Sequence, residues 1–400
     1  MTKPYTYLII GSGIIGMSIA LALKERQPDA SVLILEKEAD IAAHASGRNS
    51  GVLHAGFYYA ADSLKARLTV AGNMAMKQFC REHGLAVNDC GKLVVAQNED
   101  EVPGLYELEK RGKRNGSNVR LIDAAAAKEI DPNVKTCRYA LYSPDTASID
   151  PVAVCRKIKE ILQGEGVEFR FCTKYLGHRS NTVVTTTGEV TACHIINCAG
   201  LYADRVAQDF GFGDRYTMIP FKGLYLKYTK NTTDVKVNIY PVPNLKNPFL
   251  GVHFTKTVDG AIKIGPTAIP AFWRENYEGI AHVSLSELAE IAFHESRLFL
   301  TNAFGFRTLA NEEMKKYNKD YFIRLAMGMV EDIDPAGFTE FTRPGIRAQL
   351  LDKSALTLVQ DFVVEGDRQS THVLNAVSPA FTCAFPFASL VVRDYIAKKP

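Results

Sequence analysis

The sequence predicts an α/β fold, a Rossmann-like domain with a second domain of mixed and antiparallel sheet inserted into it. Three observations carry that expectation. Residues 5–36 read as strand, glycine turn, helix and second strand; a further strand–glycine–helix unit returns at 192–211; and residues 213–339 change to alternating, strand-like runs.

In YLIIGSGIIGMSIALALKERQPDASVLILEK, Leu8, Ile9 and Ile10 form a short apolar run that reads as a buried strand. Gly11, Gly13 and Gly16 fit the spacing G-x-G-x-x-G, and Ile14 to Leu23 follow with few helix breakers. The first glycine permits a tight turn, the second lets backbone approach a pyrophosphate, and the third lets the helix pack on the strand. The helix N-terminus then offers its amides to the phosphates. Val32 to Leu35 make a second strand ending at Glu36, where a carboxylate can accept hydrogen bonds from a ribose diol. Glycines alone would equally make a bare turn. Strand, helix, second strand and acid together point to a dinucleotide, with FAD and NAD both open at this stage.

Bulk properties narrow the class. Four hundred residues allow two domains or one large interleaved one, and 46% apolar with 23% charged residues is ordinary for a globular protein. A formal charge of +3, without a basic stripe interleaved with aromatics, argues against a nucleic-acid partner. No uninterrupted apolar stretch reaches the roughly 18 residues that suggest a spanning helix, so no transmembrane segment is expected. MTKPYTY runs straight into the first strand and leaves no room for a targeting peptide. Eight scattered cysteines without a C-x-x-C pair suit reduced thiols in a cytoplasmic protein, and the nine histidines lack metal-ligand spacing, so no metal is expected. Peripheral contact with the inner face of a membrane stays open.

HASGRNSGVLHAGFYYAADSLKARL, residues 44–68, is rich in small residues that let backbone approach a ligand. Ser46, Gly47, Arg48, Asn49 and Ser50 are expected along the pyrophosphate and the edge of a redox ring. A solvent loop is the alternative, but VLHAGFYY is too apolar to stay wet. Leu64, Leu68, Ala71, Ala75 and Phe79 share one face of a helix over 64–84. CGKLVVAQ reads as a strand, followed by helices at 99–116, 123–130 and, opened by Pro151, 151–163. Val167–Phe171 and Thr182–Thr187, with a turn at Gly188, suggest paired strands, and Tyr175 is where backbone could touch an adenine. In NCAGLYADR, Ala199 and Gly200 again bring backbone close to a ligand. LYLKY, VNIYPVP, FLGVHFT and GAIKIGP alternate as antiparallel strands, with helices near 284–301 and 311–330. Ser378 and Pro379 open the last helix, whose positive end could face charge on a reduced ring. The expected division is 1–85, 145–212 and 340–400 for the dinucleotide, with 86–144 and 213–339 for the substrate.

GSGIIG, SGRNSGVLHAGFYY, NCAGLYADR, PFLGVHFT, GIRAQ and NAVSPAFT together resemble the FAD-dependent L-2-hydroxyglutarate dehydrogenase/oxidase family. That family belongs to the D-amino-acid oxidase-like flavoproteins with a glutathione-reductase-type FAD domain. The resemblance runs in order from about residue 5 to 395, and GRNSGVLHAGFYY is its most specific piece. Some members have a His where Arg48 stands, and SPAAT where this chain has SPAFT. The resemblance implies FAD rather than NAD. By motif it places FAD contacts at Gly11, Gly13, Gly16, Glu36, Lys37, Ser46, Asn49, Ser50, Tyr175, Ala199, Gly200, Gly345, Ser378, Pro379, Ala380, Phe381 and Thr382.

Oxidising a 2-hydroxy acid requires a base for the hydroxyl proton and cations for the carboxylates. His54 is the first choice of base, because an imidazole titrates near neutrality, and His253 in GVHFT is its rival. Each could instead be a satisfied core histidine. Arg347 in GIRAQ and Lys222 in PFKGLY are the expected carboxylate clamps, with Tyr58 and Tyr240 as hydroxyl donors. A surface ion pair is the plain alternative for Arg347. FAD is expected to be noncovalent, Cys383 being the one residue that could reverse this. The electron acceptor, whether oxygen, a quinone or a carrier flavoprotein, is not readable. The competing functions are an amine or amino-acid oxidase of the same superfamily and a flavin-binding redox sensor without turnover.

Overall fold

A computed structural model describes residues 3–243 and 251–397. The chain forms two compact units, Met1–Asn49 with Pro151–Pro220 and Arg347–Pro400, and Ser50–Asp150 with Phe221–Ile346.

The first unit is built on a parallel sheet. Strand Tyr5–Ile10 lies at its centre, between Val32–Leu35 and Gly188–Asn197. Glu168–Arg170 extends the sheet beyond the second strand, and Ser370–Asn375 extends it on the other side. Leu8, Ile9, Leu33 and Ile34 are fully buried, as consecutive apolar residues must be when helices cover both faces of a sheet. Helix Ile14–Arg26 packs on Pro151–Gly164 and on Ala380–Val391. The latter is apolar nearly all round, with Ala380, Cys383, Ala384, Phe387 and Ala388 buried.

The expected pairing of 167–171 with 182–187 does not form. Glu168–Arg170 runs parallel to Val32–Leu35, while Thr182–Thr185 pairs with Tyr175–Arg179 and turns at Gly188 into the next strand. Backbone bonds from Cys172 to Glu38 and from Thr173 to Glu36, both 2.8 Å, carry the chain along the second strand's exit instead of folding it back.

Two glycines fix the first turn. Gly11 has φ +105°, and a Cβ there would stand 2.5 Å from the Cys198 carbonyl oxygen. A Cβ on Gly16 would stand 2.1 Å from the Gly11 carbonyl oxygen. Backbone meets backbone at both places, so neither contact can relax by a rotamer change. Gly11→Ala is expected to cost about 2 kcal/mol or more and to lower the melting temperature, the ordinary penalty of forcing a Cβ into that conformation. An unchanged melt would contradict the close packing.

The second unit holds an eight-stranded sheet in the order Phe338–Phe341, Leu226–Tyr228, Ile262–Gly265, His253–Lys256, Asn238–Pro241, Lys92–Val95, Tyr139–Ser143, Arg120–Asp123. All neighbours are antiparallel except Asn238–Pro241 and Lys92–Val95. Strand alternation divides the side chains between two cores. Leu93, Val95, Ile239, Phe254 and Ile264 pack with Phe322 and Phe338. Val94 and Tyr240 pack on the other face with Phe57, Leu105 and Leu108. Lys92, two residues from Val94, shares that second face.

Residues 50–85, grouped with the dinucleotide segment on sequence, lie in the second unit. Val52–Leu53 pairs with Ala147–Ile149, and helix Leu64–Glu82 packs on Val87–Asn88 and Val102–Asn115. The expected helix over 311–330 is two, Phe306–Lys315 and Lys319–Met327, the second capped by the Asn318 side chain accepting from the Tyr321 amide at 3.0 Å. Phe249 and Leu250, expected to begin a strand, lie outside the described residues.

Candidate active site

In the first unit, helix Ile14–Arg26 begins at Gly13 with no side-chain cap and no acidic residue in its first turn. Its amides therefore present partial positive charge at the carboxyl ends of the parallel strands, where doubly wound sheets bind ligands. Ser46 Oγ accepts from the Ile14 amide at 2.9 Å and stands 3.2 Å from where a Gly13 Cβ would be. Glu36 Oε2 accepts from the Ser12 amide at 3.0 Å and hydroxyl at 2.7 Å, and Oε1 accepts from the Glu38 amide at 3.0 Å. A carboxylate oxygen takes about two hydrogen bonds, so Oε1 retains room for a ribose hydroxyl.

The segment after Glu36 is held by its own side chains. Arg48 Nε donates to the Ala43 carbonyl at 2.6 Å, and Asn49 Nδ2 to Ser46 O at 2.9 Å. Lys37 and His44 both bond the Glu38 carboxylate, and these bonds outweigh burial and hold it down at about 2. Asn197 Nδ2 donates to Ala203 O at 2.7 Å and its Oδ1 accepts from the Ala199 amide at 3.1 Å, which shapes the turn at Gly200, φ +56°. Tyr175 opens a strand and its hydroxyl donates to Asp209. Helix Ala380–Val391 is another uncapped helix, starting at Pro379, with Ser378 exposed, Phe381 and Thr382 in its first turn, and Cys383 buried inside it. Arg347 is half-buried on the strand that Gly345 opens. Backbone room, an uncapped positive helix end and an acid at the second strand's end fit a dinucleotide.

The second unit collects the remaining residues. Segment 53–59 leaves its strand after Leu53, so side chains must satisfy its carbonyls. Asn73 Nδ2 lies 3.2 Å from Leu53 O and His54 O, and 3.1 Å from Asp145 O. Ser117 Oγ donates to Ala55 O at 2.5 Å, Asn115 Nδ2 to Gly56 O and Tyr59 O at 2.9 and 3.0 Å, and Arg111 to Tyr58 O at 3.3 Å. His54 and Tyr58 are thereby set on a rigid segment.

Across the sheet, Ile239 pairs with Phe254, which makes Tyr240 and His253 neighbours. Their rings stack, centroids 3.6 Å apart and 17° between planes. His253 Nδ1 lies 2.9 Å from Gly251 O. A carbonyl only accepts, so Nδ1 carries the proton and a neutral ring keeps its lone pair on Nε2.

Lys92 is the residue that sequence reading missed. Its side chain is fully buried, with Nζ 3.8 Å from the Tyr240 centroid, 5.3 Å from Tyr58 and 5.8 Å from Phe57. Nζ and His253 cannot both lie on one face of Tyr240 at such distances, so the tyrosine ring separates them. Among the described residues, neither Lys92 Nζ nor Tyr58 Oη has a hydrogen-bond partner. A cation–π contact contributes about 0.5–2 kcal/mol, less than the several kcal/mol lost on burying an ammonium without acceptors. Burial accordingly pushes Lys92 down to about 7. The only sequence signal was a charged residue beside the apolar run LVV.

His54 differs from expectation. Burial, then the nearby charges of Lys92 and Lys65, push its imidazole down to about 3, well away from neutrality. Lys222, on strand Tyr216–Gly223, is likewise lowered by burial, partly offset by Glu278.

The chain belongs to the DAO family of FAD-dependent oxidoreductases, whose pattern matches residues 6–392. Its cofactor is FAD. In particular, it is 34% identical over 396 residues to the L-2-hydroxyglutarate dehydrogenase of Escherichia coli (strain K12), covering 97% of this chain and 92% of that protein. It is also 34% identical to the mitochondrial L-2-hydroxyglutarate dehydrogenase of Homo sapiens, covering 98% and 89%. Among solved structures, the FAD-bound, dithionite-reduced L-α-glycerophosphate oxidase of Mycoplasma pneumoniae superposes with TM-score 0.75 at 21% identity, covering 98% of this chain and 94% of that one. Glycine oxidase of Geobacillus kaustophilus gives 0.70 at 18%, covering 100% and 96%. No helix among the described residues is long and apolar enough to cross a membrane.

The His54 shift gives a direct test. Its folded value lies below its unfolded one, so stability is intact above the unfolded value of about 6.5 and is lost as pH falls toward 3. The imidazole NMR signal of His54 is expected to stay flat from pH 8 to 5, and His54→Gln to soften the acid limb of the unfolding curve. A His54 titration midpoint near 6.5 would contradict the cluster's electrostatics.

Proposed function

We propose that this chain oxidises L-2-hydroxyglutarate, or a close 2-hydroxy dicarboxylate, to the 2-oxo acid. The observation that supports this most is the electropositive polar cluster of the second unit, His54, Tyr58, Lys92, Tyr240 and His253, beside which Lys65 adds charge. Relatives named L-2-hydroxyglutarate dehydrogenase over nearly the whole chain agree with it.

The reaction removes a C–H bond and a hydroxyl proton. When bound, FAD supplies the two-electron acceptor for the C–H bond. The hydroxyl proton needs an acceptor, and His253 Nε2 is the better supplied, since its tautomer is fixed by Gly251 O. His54, neutral and surrounded by positive charge, serves as a hydrogen-bonding partner of the hydroxyl or carboxylate. Arg347 and Lys222 are the further cations of this reading, for the carboxylates. Glu36, Ser46, Asn49, Ala199, Gly200 and the start of the last helix would hold FAD without a covalent bond.

An amine or amino-acid substrate must approach as a cation or shed a proton first, and Lys92 and Lys65 oppose both a cation's approach and its binding. The cluster therefore favours the hydroxy acid over the amine. A sensor without turnover needs no such cluster.

Anaerobic mixing of the holoenzyme with L-2-hydroxyglutarate is expected to bleach the flavin absorbance. His253→Ala should retain FAD and slow the bleaching by about 100-fold or more, the usual contribution of a general base. No bleaching at millimolar substrate would contradict the substrate, and near-normal bleaching in the variant would move the proton to His54. Acid precipitation is expected to release all the yellow colour; colour kept in the pellet would point to Cys383 or another covalent link.

A further inference from the structure

Lys92 is a structural liability as it stands. Three aromatic rings surround its ammonium, yet among the described residues Nζ has no hydrogen-bond partner, and the Tyr58 hydroxyl beside it is likewise buried without one. Two adjacent orphan donors in one face of one sheet call for an acceptor that the described protein does not contain. The four-carbon stem lets the ammonium swing toward such an acceptor without giving up any existing hydrogen bond. A ligand that satisfies both donors must bring at least two acceptor oxygens close together and a negative charge. A carboxylate does both, and an alcohol or a ketone does not.

We propose that Lys92, with the Tyr58 hydroxyl, is the seat of the substrate's second carboxylate and so sets the preference for a dicarboxylic over a monocarboxylic 2-hydroxy acid. Strand alternation carries the assignment. Lys92 and Tyr240 project from neighbouring strands into the face that the segment bearing His54 and Tyr58 covers, and His253 lies beyond the Tyr240 ring. The proton-accepting imidazole and the anchoring ammonium therefore stand on opposite sides of one tyrosine. This assignment rests on the reading of the chain as a hydroxy-acid oxidase, and its test is arranged to be independent of turnover.

The probe is glutarate, a dicarboxylate with no hydroxyl to oxidise, titrated into the FAD-loaded full chain by calorimetry, with butyrate as the monocarboxylate control. Lys92→Met is expected to weaken glutarate binding by about 30-fold or more, the scale of a charge-assisted hydrogen bond in a buried site, and to change butyrate binding by less than about 3-fold. In steady state the preference for L-2-hydroxyglutarate over L-2-hydroxybutyrate should fall by a similar factor. Removing an unpaired buried amine should also raise the melting temperature, whereas a merely structural lysine would lower it. Wild-type glutarate affinity should decline from pH 6 to pH 9 as the amine loses its proton, with Tyr58, Tyr240, His54, His253, Lys65 and Cys90 the titratable groups around it, and Lys92→Met should be flat over that range.

Unchanged glutarate affinity in Lys92→Met, or equal losses for glutarate and butyrate, would overturn the proposal. Should that variant not fold, Tyr58→Phe keeps the ring and removes the hydroxyl. About a 10-fold loss for glutarate alone then supports the seat, and no loss overturns it. Failure to oxidise L-2-hydroxyglutarate with glutarate binding still dependent on Lys92 would sink the function and leave the seat standing.

Discussion

Everything in the first unit depends on two strand ends that meet without side chains between them. The turn after Tyr5–Ile10 runs so near Cys198 that only a glycine fits at residue 11. Gly16 lets the helix descend onto the Gly11 carbonyl. The consequence is electrostatic. A helix that starts this close to the sheet, with a glycine at its cap and no acid in its first turn, leaves the amides beyond Ile14, whose own amide Ser46 Oγ bonds, for a ligand's phosphates. Glu36 and Asn197, at the ends of the flanking strands, are then placed by strand register alone.

The second unit shows the opposite economy. Its sheet faces are apolar and well packed, yet one face encloses an amine, two tyrosine hydroxyls and two histidines. Polar groups gathered against an apolar sheet face are the pattern expected where function overrides stability. The mutual effects are physical rather than merely spatial. Burial, helped by the charges of Lys92 and Lys65, keeps His54 neutral, and the Gly251 carbonyl keeps the His253 lone pair on Nε2. An anion entering this cluster would give the Lys92 ammonium the acceptor that the described residues leave it without.

Much of this was legible in the chain. The glycine spacing, the apolar runs around it and the acid after the second strand specify the parallel sheet because each feature has a single-residue cause. His54, Tyr58, Tyr240 and His253 were identifiable one by one. Their assembly was not, since it depends on a parallel pairing between Asn238–Pro241 and Lys92–Val95 across about 140 residues of chain. Lys92 escaped notice because a lysine at the first position of a strand normally points to water. It faces inward here because Val94 does. The neutral state of His54 was equally hidden, for ionisation is set by neighbours and burial and not by residue type. Residues 50–85 joined the second unit through Asn73 Nδ2 on the Asp145 carbonyl and through the Gly56 and Ala55 carbonyls bonded by the Asn115 and Ser117 side chains, contacts that no local pattern announces.

The central claim is that a dinucleotide's diphosphate lies on the amino end of helix Ile14–Arg26. The most direct measurement is an equilibrium titration of the apoprotein with FAD and with FMN, which carries the same ring but neither the diphosphate nor the adenosine. The account expects FAD to bind at least about 100-fold more tightly, a difference of about 2.7 kcal/mol. Equal affinities, or a folded protein that takes up neither, would contradict it.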